Sequence, residues 1–314
     1  QINKKAINIL VGILRYVFFI SFSYVVLYPF IFMVIGSIKS YSDTFDPTVL
    51  WVPKNIDFSN FAVAAKVLDI KSSIWNTFRI EIVSALLQFL ACAVAGYGLS
   101  RFNFKGRKIL YVAMILSILV PSPMIITPSY VNFSHMDFLG ILGLISKVTG
   151  VDIRPSLIDT PFAFYLPSIL GVGLKGGLFI YIFSQFYKGI PKELEEAAWV
   201  DGAGPVKTFV RIVAPSSGPA AITVLLFSIV WHWNDYYLAQ MYSSSYPTLS
   251  VELNNFNLNE VVLALGGKGL TQASFNYSSV TLCCCIIFLI PMLAFYLVIQ
   301  RKFIASVATS GIVG

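Results

Sequence analysis

Charged residues are scarce in this sequence of 314 amino acids, since Asp, Glu, Lys and Arg together make up only 12%. Hydrophobic residues make up 57%, and the mean hydropathy is +0.77. A water-soluble domain of this length cannot bury so much apolar surface, because folded chains leave a large part of their area exposed. The composition therefore excludes an ordinary soluble domain and indicates a protein that crosses a bilayer several times.

Residues that build metal centres and nucleophilic sites are also rare. The two histidines, His135 and His232, stand far apart, and Cys92 and the run 283–285 lie in apolar segments without metal-ligand spacing. We expect the cysteines to pack as small apolar side chains, and we expect no metal site and no catalytic residue. No glycine loop of the kind that cradles phosphate occurs, so this chain should not hydrolyse ATP itself.

Six apolar segments are long enough to cross a bilayer as helices of about 20 residues. They predict an all-α polytopic membrane protein with one transmembrane domain over residues 1–314 and spans at residues 15–38, 74–99, 109–131, 161–187, 219–239 and 280–300. Six spans place both termini on one side of the membrane. The positive-inside rule makes that side the cytoplasm, because Arg101, Lys105, Arg107 and Lys108 crowd one short loop. This topology also explains the net charge of +7, so no nucleic-acid partner is expected.

Residues 189–215, between the fourth and fifth predicted spans, have the pattern of a helix–turn–helix. Pro191 suits the first turn of a helix, and Glu196 falls in an acidic stretch near the helix N-terminus, where the helix dipole favours negative charge. Gly202 breaks this helix and Pro205 starts a second one. Such a segment can dock in a groove of another protein. An amphipathic helix in the headgroup layer is the alternative, and an anionic inner leaflet would repel its acids.

The same segment resembles the EAA signature of binding-protein-dependent ABC importer permeases. The matching positions are Glu196, Ala197, Ala198, Gly202, Ile212, Ala214 and Pro215. Ala214 stands where the family usually has Leu, which softens one packing contact. The run Trp233–Asn234–Asp235 is similar to the carbohydrate-uptake branch of this family, which includes the maltose-transporter permease, and the resemblance covers nearly the whole chain.

The resemblance implies a type I ABC importer permease fold in a bacterial inner membrane. It implies four partners: a second homologous permease, two cytoplasmic ATPase subunits and an extracytoplasmic sugar-binding protein. ATP and magnesium would be bound by the ATPase subunits, so no cofactor is expected in this chain. The resemblance also implies a coupling helix that is seated in an ATPase cleft and includes Glu196, Ala197, Ala198, Asp201 and Gly202.

Polar and aromatic side chains within the predicted spans are candidates for the substrate path, because polar groups in a bilayer are costly. The candidates are Tyr130, Asn132, Lys175, Trp233, Asn234 and Asp235. Aromatic rings can stack on sugar rings, while amides and carboxylates bond to hydroxyl groups. The alternatives are an interfacial aromatic belt with satisfied polar tips around Trp233, and a proline-kinked packing helix that carries Tyr130 and Asn132.

Lys175, in the fourth predicted span among four glycines, needs a partner for its charge. The structural interpretation pairs Lys175 with Glu81 or Asp235. The second interpretation is that Lys175 meets a carboxylate on an acidic sugar.

Two other classes of protein compete with the importer hypothesis. An ion-coupled secondary transporter would use midplane carboxylates such as Glu81 and Asp235, but no second related half is visible and the helix–turn–helix stays unexplained. A membrane-embedded enzyme would need a metal cluster or an activated nucleophile, which the sequence does not supply.

Overall fold

The computed structural model describes residues 2–137, 140–267 and 270–310. Over these ranges the regular structure is helical, apart from one isolated bridge between Lys39 and Ile56. The helices are α1 (Ile2–Ser37), α2 (Tyr41–Phe45), α3 (Ser59–Val67), α4 (Ile70–Thr77), α5 (Val83–Arg101), α6 (Arg107–Leu119), α7 (Ser122–Ser134), α8 (Ile141–Thr149), α9 (Phe162–Ile169), α10 (Gly176–Gly189), α11 (Glu193–Val200), α12 (Pro205–Thr208), α13 (Ala214–Ser216), α14 (Gly218–Trp233), α15 (Tyr237–Tyr242), α16 (Leu249–Asn255), α17 (Leu258–Ala264) and α18 (Leu270–Ser310). Two π-helical segments, Phe78–Ile82 and Phe209–Val213, continue α4 into α5 and α12 into α13.

Three helical stretches in the described ranges are long and apolar enough to cross a membrane, namely Ile7–Ser37, Ile70–Arg101 and Asn276–Ala305. The number rises to five if two bent pairs each form one broken span. These pairs are Arg107–Leu119 with Pro123–Ser134, bent by 112°, and Pro205–Ser216 with Gly218–Trp233, bent by 82°. The fourth predicted span is not among these stretches, because it contains two separate helices, α9 and α10. The layout of six spans therefore stays a prediction.

The chain divides into two compact units, of which the first comprises Gln1–Ile70 and Asn255–Ile290. The apolar window of α1 in this unit is exposed along its whole length. The end of α1 is held by polar contacts instead: the Cys283 Sγ donates to the carbonyl oxygen of Ser37 at 3.3 Å, and the Asn60 amide donates to the same oxygen at 3.3 Å. The four cysteines are free thiols, and the described residues contain no group that could hold a metal ion.

The second unit comprises Lys71–Asn254 and Pro291–Gly314, and its main core forms where α5 packs along α10. Buried side chains of this core include Cys92, Tyr97, Phe179, Phe183, Tyr187, Val213 and Val224. Gly96 lets the two backbones approach closely. A Cβ atom at that position would lie 2.7 Å from the Cβ of Phe183 and 3.1 Å from the carbonyl oxygen of Ile180. Small residues commonly permit such close contacts between membrane helices.

The fourth predicted span is interrupted between α9 and α10. The chain turns at Gly171, which has a positive φ, and α10 begins after Lys175. Backbone groups in such a break need partners inside the protein, because lipid offers none. Gln88 of α5 provides one, since its Nε2 donates to the carbonyl oxygen of Leu174 at 2.6 Å. The break is therefore built into the helix packing.

Replacing Gly96 and Gly98 separately by Ala should change stability in opposite directions. Gly96→Ala places a methyl group against α10, and overpacking of this kind costs about 1–3 kcal/mol. Gly98→Ala meets nothing within 4 Å and gains about 1 kcal/mol of helix propensity. Thermal unfolding of the detergent-purified protein should show a lower midpoint for Gly96→Ala and an equal or higher one for Gly98→Ala. Equal midpoints would contradict the close α5–α10 contact.

Candidate functional site

The segment 189–215 forms a helix, a tight turn and a second helix. The first helix, α11, ends in a Schellman motif, in which the backbone N–H of Ala203 donates to Ala198 and that of Gly202 donates to Trp199, at 2.9 and 3.0 Å. Gly202 has φ +77°, the left-handed backbone that glycine adopts at least cost. The motif makes the sharp turn a fixed feature of the segment.

The two sides of α11 differ in exposure. Glu196, Ala197, Asp201 and Gly202 are exposed, and so are three apolar side chains on the same helix, Leu194, Trp199 and Val200. Val200 is 89% exposed. Ala198, by contrast, is buried against the rest of the unit. Of the five predicted coupling residues, four thus form an accessible surface and Ala198 anchors the helix from behind.

A buried ion pair holds α11 against α5. The Nε of Arg101 lies 2.6 Å from Oε1 of Glu195, and both side chains are more than nine-tenths buried. The hydroxyl of Tyr97 donates to Oε2 of Glu195 at 2.9 Å, and the guanidinium of Arg101 also donates to the carbonyl oxygen of Ile190 at 2.5 Å. Opposite charges with several hydrogen bonds are the arrangement in which burial of ions is tolerated.

Sequence reasoning missed the role of Glu195 and Tyr97. Glu195 precedes the signature residue Glu196 and was interpreted as one of several acids near a helix N-terminus. The sequence did contain a signal for the position of Glu195, because Glu195 and the signature residue Ala198 are three positions apart and share one helix face. That face is the buried one, which places Glu195 toward α5.

A second candidate site is a cavity of about 650 Å³ in the second unit. Its walls come from α5, α6, α7, α9, α10 and the 170–175 turn, and they are mainly apolar. A few polar side chains line it: Ser117, Ser129, Ser168, Lys175, His232 and Tyr242. Apolar walls with a small number of polar groups are typical of ligand sites.

Only one of the six predicted path residues, Lys175, lines this cavity in the described part of the chain. Tyr130 is half-buried in the neighbouring cluster around Tyr242, and Asn132 is exposed. Trp233 is buried with its ring edge-on to Phe78. The Nδ2 of Asn234 donates to its own helix at Val230, with a distance of 2.7 Å.

Asp235, the remaining path residue, lies next to Glu81 in the interior. Glu81 is fully buried and Asp235 is 7% exposed. Both Glu81 oxygens and Oδ2 of Asp235 have no hydrogen-bond partner among the described residues. The cavity thus includes one of the six predicted path residues, and the role of the whole set stays a prediction.

The predicted pairing of Lys175 with Glu81 or Asp235 is wrong. None of the ion pairs among the described residues includes Lys175. Its Nζ lies instead 5.7 Å from the ring centroid of Trp231. Depth along a span suggested the pairing, but the turn before α10 directs the side chain elsewhere. His232 and Tyr242 are cavity residues that the sequence did not connect with Lys175.

Comparisons with known proteins agree with this architecture. The trehalose transport system permease protein SugB of Mycobacterium tuberculosis is 26% identical over 263 residues, or 84% of each chain. The polygalacturonan/rhamnogalacturonan transport system permease protein YtcP of Bacillus subtilis is 25% identical over 94% of this chain and 96% of its own length. A chain in the crystal structure of a bacterial ABC transporter that imports the acidic polysaccharide alginate matches with a TM-score of 0.68 at 20% identity, covering 93% of this chain and 96% of that one.

The fold is thus that of an ABC importer permease, and the prediction of an all-α polytopic membrane protein is confirmed. Residues 88–309 match the model of the binding-protein-dependent transport system inner membrane component, and the chain belongs to this family. Its members are permease subunits and not enzymes, and ATPase activity lies in partner subunits. Family membership removes the membrane enzyme and the secondary transporter as alternatives.

Removing the Glu195 carboxylate should destabilise the protein strongly. Glu195→Ala leaves Arg101 buried without its partner, and breaking a buried pair in this way costs about 3–5 kcal/mol. Glu193→Ala, on an exposed position of the same helix, should cost less than about 0.5 kcal/mol. Thermal unfolding in detergent measures both changes.

A double variant separates the ion pair from simple loss of packing. Arg101→Ala combined with Glu195→Ala should be less damaging than the sum of the single changes, because no buried charge is left unpaired. Strict additivity, or equal effects of the Glu193 and Glu195 variants, would show that the pair does not hold α11.

Proposed function

We propose that this chain is the permease subunit through which an ATP-driven importer moves a sugar or oligosaccharide into a bacterial cell. The cargo is delivered by an extracytoplasmic binding protein, and a second homologous permease completes the transmembrane path. Two cytoplasmic ATPase subunits bind ATP and magnesium and drive the cycle. Both termini of the chain lie in the cytoplasm in this arrangement.

The carbohydrate substrate class is supported by the relatives. The names of SugB and YtcP state that they transport trehalose and polygalacturonan or rhamnogalacturonan, and both relatives align with most of this chain. The cavity beside α10 supports the same class, because it combines apolar walls with hydroxyl, imidazole and ammonium groups. Sugar rings present both apolar C–H faces and hydroxyl groups to such a surface.

The observation that carries the coupling role is the surface of α11. Leu194, Trp199 and Val200 are exposed apolar side chains next to Glu196 and Asp201, on a short helix with a fixed turn. Exposed apolar residues surrounded by polar ones are typical of a surface that docks in a groove of a partner. We assign this groove to an ATPase subunit.

The ion pair gives this surface a mechanical connection to the membrane helices. A displacement of α11 is passed through Glu195 and Arg101 to the end of α5. Along its length α5 packs against α10, and residues near its end, including Gly98, line the cavity. Closure of the ATPase pair around ATP would draw the coupling helices together and change the cavity walls, and hydrolysis would reset them.

The predicted path residues divide into two groups under this proposal. Lys175 contacts the cargo directly from the cavity wall. The other five residues line the remaining path in the assembled importer, where the second permease and the binding protein complete it. They are Tyr130, Asn132, Trp233, Asn234 and Asp235.

A substitution at the turn tests the coupling role. Gly202→Val forces a β-branched residue into left-handed backbone, at a cost of about 1–2 kcal/mol, without any steric clash, because nothing lies within 4 Å. We expect roughly tenfold weaker retention of ATPase subunits on the detergent-purified complex, and lost ATP-dependent uptake in proteoliposomes.

Gly204→Val is the matched control for this experiment. Gly204 has φ −75° and ψ 169°, which valine adopts readily, and its surroundings are also open. This variant should retain ATPase subunits and uptake. Full uptake by Gly202→Val, with the same ATPase retention as wild type, would contradict the coupling assignment.

A further inference from the structure

The backbone of Lys175 is held in a conformation that lysine rarely adopts. Lys175 has φ +58° and ψ 22°, in the left-handed region, where L-residues other than glycine are strained. Among the described residues, the other positive-φ side chains are Asp69 and Asp159, and aspartate tolerates this backbone because it can bond locally. Lysine has no such compensation. Its neighbours in the turn are Gly173, Gly176 and Gly177, so glycine at position 175 would be the unstrained choice.

The turn that imposes this backbone is tightly fixed. The N–H of Gly176 donates to Gly173 at 3.0 Å, and the carbonyl oxygen of Lys175 accepts from Leu178 and Phe179 at 3.0 and 3.2 Å. A Cβ atom on Gly176 would overlap the carbonyl oxygen of Gly171. The position and direction of the Lys175 Cα–Cβ bond are therefore set by the fold before any ligand arrives.

Lys175 is one of the residues that line the cavity, and its ammonium group lies near an aromatic ring. Trp231 covers one side, with its ring centroid 5.7 Å from Nζ. Lys175 is exposed, has no ion-pair partner among the described residues, and is the one lysine or arginine in the described cavity lining. An ammonium has three donors and no acceptor, so it calls for an anionic or polar oxygen. A cation within a membrane protein is a functional candidate by default.

We propose that Lys175 is a subsite for the carboxylate of an acidic saccharide, and that the cargo of this permease carries uronic acid units. The proposal rests on the function proposed above, and it adds the charge of the substrate. Strained backbone retained at a cavity wall is the kind of feature that persists when the side chain is needed. The Trp231 ring lies beside Nζ, with its centroid at 5.7 Å, and a bond between this ammonium and a carboxylate would be charge-assisted. The apolar walls of the cavity accommodate the C–H faces of the sugar rings.

The test compares two cargoes that differ only in charge. One is a galacturonic acid oligosaccharide, and the other is the same oligosaccharide after reduction of each carboxylate to a primary alcohol. Uptake is measured in proteoliposomes that contain the complete importer with its binding protein.

Wild type should transport the acidic oligosaccharide. Lys175→Gln should reduce its uptake by about tenfold or more, the scale of one charge-assisted bond, and Lys175→Arg should retain most of it. Any uptake of the reduced oligosaccharide should be unchanged in Lys175→Gln.

Lys175→Gly separates the side chain from the backbone. Glycine relieves the strain at φ +58° and preserves the turn, so the importer should assemble and unfold at an equal or higher temperature. It should nevertheless lose uptake of the acidic oligosaccharide as Lys175→Gln does. Retained uptake in Lys175→Gly would show that position 175 serves only the turn, and would overturn the proposal.

Three other results would also decide against the carboxylate subsite or against the function on which it rests. A wild-type importer that transports the reduced oligosaccharide and refuses the acidic one overturns the carboxylate subsite while the function proposed above stands. Equal loss of both cargoes in Lys175→Gln, with weaker assembly of the two permeases, would show that Lys175 pairs with a protein carboxylate instead. Uptake of neither cargo, nor of any other saccharide, by a wild-type importer that hydrolyses ATP would overturn the sugar-transport function itself.

Discussion

At the end of α5, a guanidinium and a carboxylate are buried together, and separating them would leave desolvated charges without a partner. Arg101 and Glu195 come from helices that are far apart in the sequence, and Tyr97 satisfies the second oxygen of the carboxylate. This cost of separation opposes any movement of α11 away from α5. The Schellman turn fixes the backbone at the C-terminal end of α11.

From this pair, α5 connects the other features of its unit. Gly96 brings the helix into close contact with α10, and Gln88 satisfies the backbone where the fourth predicted span is broken. The break produces the turn that places Lys175 at the cavity wall. A continuous set of packed helices therefore links Arg101 to the cavity wall, as the proposed coupling requires.

Much of this architecture could be predicted from local sequence features. Hydropathy indicated the helices, and the spacing of Gly202 and Pro205 predicted the turn and second helix that the structure contains. Contacts between distant positions could not be predicted in this way. The pairing of Lys175 with Glu81 or Asp235 was inferred from depth along a span, and depth does not define the direction in which a side chain points.

The interruption of the fourth predicted span shows a related limit. Glycines permit close approach of helices, which the structure shows for Gly177 against the carbonyl oxygen of Met114, where a Cβ atom would lie only 2.9 Å away. The same glycines also permit left-handed backbone, and sequence alone does not determine which of these two uses applies. The burial of Glu195 depended on a partner nearly one hundred positions away, as the separation of 98 residues between Tyr97 and Glu195 illustrates.

The exposure of α1 has a consequence for how this chain assembles. The apolar window of α1 has no buried residue within its own chain, so this face is available to lipid or to the second permease of the proposed importer. Gly36 and Ser37 at the end of the helix are instead tied to specific neighbours in the same chain. The family match, which begins at residue 88, leaves this helix out.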